Sequence, residues 1–241
     1  MILGALVLLG FGIGDLVALL PLKSVLARGA AATAAVIVIF GVAALSGMAS
    51  GSVALTALIA APAVGWVLLA PDAPEKKHAW LLLLPIGALL GGISVSGSAA
   101  PVGGDLAHWY EQLPFGFVSS EAVPADQFVL GFGAFLFLLA TSNQIVRLVL
   151  ATTDAKDLEG SELPKGGRLL GPMERLIVAA ALVAGDPAGA GFVVAAKGLL
   201  RFPEVNRPSS NIHELTEYLL VGTFTSISLA IILTILVLAS S

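Results

Sequence analysis

Nine side chains in this 241-residue sequence have the type and setting to do chemistry within an otherwise apolar chain. Asp15 is the clearest, ending the run Gly10-Phe11-Gly12-Ile13-Gly14-Asp15. It sits about seven residues, roughly 10 Å of helical rise, inside the end of the first apolar stretch. A carboxylate at that depth is costly, and such groups mark ion or substrate paths by default. Asp15 therefore reads as a protonatable or cation-coordinating group facing a cavity. The alternative is a carboxylate paired with a buried Arg or Lys for assembly alone. The three glycines before it, at every second position, do not form a stripe on one face. They allow close helix packing or a local kink.

A second polar group is Thr141-Ser142-Asn143-Gln144, followed by Arg147. Asn143 and Arg147 are four apart, so one helix face can carry both and line a polar site. The competing reading has Asn143 bonding across helices and Arg147 snorkelling to the interface. A third lies at Gly185-Asp186-Pro187, where Asp186 suits an N-cap and Pro187 a first helical position. A half-helix starting there directs its positive end inward, as broken helices do at transporter sites. The last group is Glu174, Arg175, Lys197, Arg201 and Glu217. Lys197 and Arg201 share a face, and Glu217 stands one turn into the final apolar stretch. Together these five can hold a phosphate or an anionic headgroup. As ordinary structure they are a self-neutralising ion network that fixes the hairpin against the last helix. Asn211, with Glu214 three residues on, has the pattern of a capping box for that helix.

The elements that must position these groups are apolar helices. The chain is 57% hydrophobic and only 12% charged, against about 25% charged in soluble domains, and its mean hydropathy is +0.98. The bilayer is the solvent that fits. Stretches of about 20 apolar residues run over Ile2–Leu22, Ala30–Met48, Ser52–Ala70, Ala79–Gly97, Gln127–Leu150 and Leu215–Leu238. The first lacks the basic start and cleavage site of a signal peptide and is read as a span. Gly171–Phe202 is also apolar but breaks at Gly185 to Gly191, leaving arms of about 13 to 15 residues, roughly 20 Å each. That is short of the ~30 Å hydrocarbon core and predicts a re-entrant hairpin or two short spans. The fold class expected is an all-α transmembrane bundle of six spans plus this hairpin. Residues 1–150 form a five-span region with an outer loop at 98–126, 151–170 a cytoplasmic linker, and 171–241 the hairpin and last span.

The twelve basic residues fix the expected orientation. With the N-terminus outside, all of them fall on one side, which is then the cytoplasm. The opposite loop, 98–126, carries Asp105, Glu111, Glu121 and Asp126 and no Lys or Arg. Both termini are expected outside, in a bacterial inner membrane. In that loop, His108-Trp109-Tyr110 with Phe115 and Phe117 predicts a short interfacial helix, with a lid or partner surface as the alternative. Cysteine is absent, which excludes disulfides and thiolate metal sites. His78, His108 and His213 have no metal-ligand spacing. No metal, no cofactor and no nucleic acid are expected, the last because the net charge is −4.

The C-terminal third resembles one family. The residues that carry the likeness are Gly167-Arg168-Leu169-Leu170-Gly171-Pro172-Met173-Glu174-Arg175-Leu176, Ala184-Gly185-Asp186-Pro187, Gly191-Phe192-Val193-Val194-Ala195-Ala196-Lys197, Arg201-Phe202 and Glu217-Tyr218-Leu219-Leu220-Val221-Gly222-Thr223. In order and spacing they are similar to bacterial integral membrane proteins labelled domain of unknown function 3307, over Gly167 to Leu229. Members commonly carry a His and an Asp in the first helix; Asp15 corresponds to the second, and the first has no counterpart here. The resemblance implies a bacterial membrane protein with an integrated hairpin module and supplies no activity.

Three functions follow as expectations. The first is a small-solute or ion transporter or channel, with Asp15, Asn143, Arg147 and Asp186 along its path. The second is a structural or accessory subunit whose glycine-rich spans contact another membrane protein. The third is a membrane enzyme or lipid-phosphate binder at the cytoplasmic cluster, although no serine–histidine, zinc, Walker or paired-aspartate motif is present. The expected partners are the bilayer, with an anionic lipid, another membrane subunit or a second copy of the chain left open.

Overall fold

The computed structural model describes residues 1–20, 24–48, 53–96, 102–113, 123–153, 167–205 and 212–240, without the side chains at 24, 53, 96, 167–169, 200–205 and 212–215. The expected linker, Phe115, Phe117, the Asn211 and Glu214 capping box, and the Arg201 and His213 side chains lie outside that description. Every regular element among the described residues is helical: α1 Ile2–Ala18, α2 Ser24–Leu45, α3 Val53–Leu69, a 3-10 turn Lys76–Leu82 leading into α4 Leu83–Ser96, α5 Gly104–Glu111, α6 Ala125–Leu139, α7 Thr141–Leu150, α8 Gly167–Val183, α9 Pro187–Val205 and α10 Ile212–Leu238.

Among the described residues, three helical stretches are long and apolar enough to cross a membrane: Val25–Leu45, Lys76–Val95 and Thr216–Leu238. The bent pair α6 and α7 makes a fourth if it crosses as one. The apolar helices Ile2–Ala18 and Ala54–Leu69 are shorter. At 17 residues, α1 extends about 26 Å. The chain is thus an all-α protein with three to four candidate spans.

Two compact units divide the chain. The first comprises Met1–Ala70, Leu81–Thr141 and Leu236–Ser241; the second comprises Pro71–Trp80 and Ser142–Ile235. In the first unit α1 is the central helix, packed against α2, α3, α4 and α6. A helix apolar all round must be covered all round, and Leu3, Leu6, Leu8 and Phe11 are fully buried. Neighbouring contacts give the directions. Gly10 lies against Ile39 and Gly14 against Ala35, so α2 runs opposite to α1. Gly10 lies against Ala63 and Gly14 against Val67, so α3 runs with it. Gly4 meets Leu130, Gly133 meets Leu8 and Gly12 meets Leu136, so α6 also runs with α1.

The aromatic helix expected in the 98–126 loop is α5. Tyr110 is buried there, donating its hydroxyl to the Val123 carbonyl at 2.6 Å, with the Phe128 ring 4.9 Å away. Trp109 stays exposed.

Two expected elements take a more detailed form. The stretch Gln127–Leu150 is not one continuous helix. It breaks at Ala140, the C-cap of α6, where the two helices meet at an angle of 46°. Thr141, Ser142 and Asn143 follow directly, three residues whose side chains favour helix ends over interiors. The apolar halves of the hairpin lie within longer helices, 17 residues in α8 and 19 in α9. The apolar run stops earlier than the helix does, because Arg168 and Arg201 continue the backbone pattern without continuing the apolar face.

Candidate functional site

In the first unit, close packing of α1 delivers Asp15 to its partners. A Cβ on Gly12 would sit 2.8 Å from the Leu136 carbonyl carbon and 2.9 Å from the Phe137 nitrogen. Those atoms are backbone and cannot step aside, so only glycine allows this approach. Gly10 and Gly14 face α2 and α3 on the opposite side, which is why the three glycines alternate: α1 is tight on two faces at once. The helix then presents Asp15 to Trp66 of α3. The indole Nε1–H donates to both carboxylate oxygens, at 3.1 Å to Oδ1 and 2.9 Å to Oδ2. The Phe11 ring lies tilted beside both Trp66, at 6.0 Å, and Phe137, at 6.3 Å.

The pairing of α1 with α6 advances from Gly4/Leu130 through Leu8/Gly133 to Gly12/Leu136. Thr141 opens α7 just past the break. Thr141 is the carboxylate's other polar neighbour. Its hydroxyl is fully buried and closes no hydrogen bond of good geometry among the described residues. No ion pair reaches Asp15 among the described residues, so its described hydrogen-bonding surroundings are neutral. Asp15 itself is half-buried, whereas Trp66 and Thr141 are closed off.

The second unit holds the other polar groups and uses them differently. Arg175 is 2% exposed; its Nη1 donates to Ser226 Oγ at 3.0 Å and its Nη2 to Asn143 Oδ1. Glu174 and Lys197 form an ion pair between α8 and α9, with side-chain exposures of 18% and 11%. These residues, with Val178, Val193 and Ser226, line a pocket with room for one water at most. Arg147 does not join Asn143. It is exposed, donating to the Asp72 carbonyl and, at 3.3 Å, to Gln144 Oε1, while Gln144 donates to the Pro71 carbonyl at 3.0 Å. The two side chains thereby hold the turn after α3.

Asp186 is a cap. Its Oδ1 accepts the Gly189 N–H at 2.8 Å. The turn before it closes α8 with Asp186 N to Ala181 O at 2.9 Å, Gly185 N to Leu182 O at 3.1 Å and Gly185 at φ 74°. That is a helix stop followed at once by a helix start. Glu217 is exposed, with no ion pair among the described residues. Of the five cluster residues, Glu174, Arg175 and Lys197 come together and Glu217 stands apart from their pocket.

Reading the sequence missed Trp66, Thr141 as Asp15's neighbour, and Ser226. A signal existed for Trp66: a buried indole N–H needs an acceptor, and Asp15 is the carboxylate of the adjoining apolar helices. Among the described residues no three His, Cys, Asp or Glu side chains gather where they could hold a metal ion. Comparison of the chain with family models, with curated proteins and with solved structures found no match.

Proposed function

We propose that the chain is a multi-pass protein of a bacterial inner membrane that conducts or transports a small ion, with Asp15 as the group the ion meets. The observation that carries this is a carboxylate within an apolar helix, held by an indole N–H and beside the buried Thr141 hydroxyl, with no cationic partner among the described residues. A carboxylate kept for assembly alone would be neutralised by Arg or Lys, as Glu174 is by Lys197. A break in a neighbouring helix at the same level is what ion sites in transporters use. The layout that goes with this is six spans plus the hairpin, both termini outside and the basic loops in the cytoplasm. The resemblance of Gly167 to Leu229 to bacterial membrane proteins agrees with that location. Purified protein in liposomes tests the reading: ion-dependent flux is expected, and Asp15→Asn is expected to abolish it. Flux unaffected by Asp15→Asn rules out Asp15 as the ion's contact.

A structural or accessory subunit is the second reading. Gly87 and Gly91, four apart on α4, are exposed with nothing within 4 Å of either, a spacing that suits close contact with another helix. A lipid phosphate has less in its favour at the cytoplasmic cluster, because Glu174 and Lys197 spend their charges on each other.

A further inference from the structure

The geometry points to an alkali-cation site formed by the Asp15 carboxylate and the Thr141 hydroxyl, with Trp66 positioning the carboxylate. The inference rests on the reading of Asp15 as the ion-binding group and names the ion class it takes. Three oxygens meet there, and no nitrogen or sulfur ligand does. Oxygen-only sets select hard cations over transition metals. One carboxylate supplies one negative charge. A divalent ion would leave an uncompensated positive charge among Phe11, Trp66 and Phe137, and divalent sites ordinarily recruit several acidic ligands. No such group exists among the described residues.

The Thr141 hydroxyl carries the argument beyond the carboxylate. It is the one buried side-chain oxygen or nitrogen among the described residues that lacks a hydrogen-bond partner. Buried hydroxyls are rarely left so. At the α6/α7 break the Ala140 N–H reaches the Leu136 carbonyl at 3.0 Å. A hydroxyl can donate its proton to one carboxylate oxygen while offering a lone pair to a cation. In that arrangement the carboxylate accepts the Thr141 proton, and the cation, held also by the hydroxyl's lone pair, compensates the Asp15 charge. Trp66 donates to both carboxylate oxygens, which fixes the carboxylate plane and leaves its remaining lone pairs for the ion.

Trp66 is also the reporter. The chain has three tryptophans, and Trp80 and Trp109 are both about half exposed. The full chain carrying Trp80→Phe and Trp109→Phe leaves Trp66 as its one indole. In detergent at constant pH and ionic strength, N-methylglucamine chloride is replaced stepwise by sodium chloride or potassium chloride. A saturating change in Trp66 emission with one or both ions is expected. Asp15→Asn should abolish it, and Thr141→Val should weaken it about 10- to 100-fold, the range for disturbing a metal's ligand shell. Thr141→Ser should restore it. Size-exclusion elution confirms that each variant is folded. An emission that Asp15→Asn shifts but neither cation moves overturns the site, as does an unchanged response in Thr141→Val. Flux without cation binding refutes this inference and spares the transport reading; cation binding without flux does the reverse.

Discussion

Replacing Trp66 by Phe removes one N–H from the carboxylate and leaves an aromatic ring in place. The indole donates at 3.1 and 2.9 Å, and a hydrogen bond to a charged group contributes about 1.5–3 kcal/mol. The smaller ring also leaves space beside Phe11, a packing loss that Trp66→Phe carries whether or not Asp15 matters. A double-mutant cycle with Asp15→Leu, which offers the indole no acceptor, separates the two effects, since the packing loss appears on both sides of the cycle and cancels. The expected coupling is about 1.5–3 kcal/mol if the indole holds a carboxylate, and about 0.5–1.5 kcal/mol if it holds a neutral group. For a chain of this size the larger figure amounts to about 3–12 °C in unfolding temperature. The assay is thermal unfolding of the four proteins in one detergent at mildly alkaline pH. A coupling within about 0.5 kcal/mol of zero, the scatter of independent sites, refutes the pairing of Trp66 with Asp15 and the role built on it.

Other expectations follow from the second unit and from the orientation. Asp186→Ala should lose about 1 kcal/mol of stability as a missing N-cap, Asp186→Asn should lose almost none, and neither should alter ion flux. Lys197→Met should cost about 3 kcal/mol by stranding Glu174 in a partly buried position. The double variant with Glu174→Gln should recover most of that loss, as unfolding temperatures will show. The chain has no cysteine, so single cysteines report orientation directly. Glu111→Cys should react with an impermeant maleimide on intact spheroplasts, and Thr153→Cys only after lysis; the opposite pattern inverts the proposed orientation.

The helical character and most of the helix positions were legible because both rest on local composition. The hairpin turn was legible for the same reason: Gly185 ends one helix and Asp186-Pro187 begins the next within three residues. The break at Ala140 was not. Hydropathy averages across it, and neither Gly nor Pro marks it; the polar run from Thr141 was its trace. Partners were the least legible part. Arg175 finds Ser226 and Asn143, 51 and 32 residues away. Asp15 and Asn143, expected along one path, belong to different compact units. Asp15 stood out as a costly charge, but its meaning depended on Trp66 and Thr141, which only packing brings to it.

The claim that an ion meets Asp15 is tested most directly by flux through liposomes containing the wild-type chain, Asp15→Asn or Thr141→Val. The account predicts sodium- or potassium-dependent flux in the wild type, none in Asp15→Asn, and a higher cation requirement in Thr141→Val. Equal flux from all three proteins, or none from folded wild type, contradicts it.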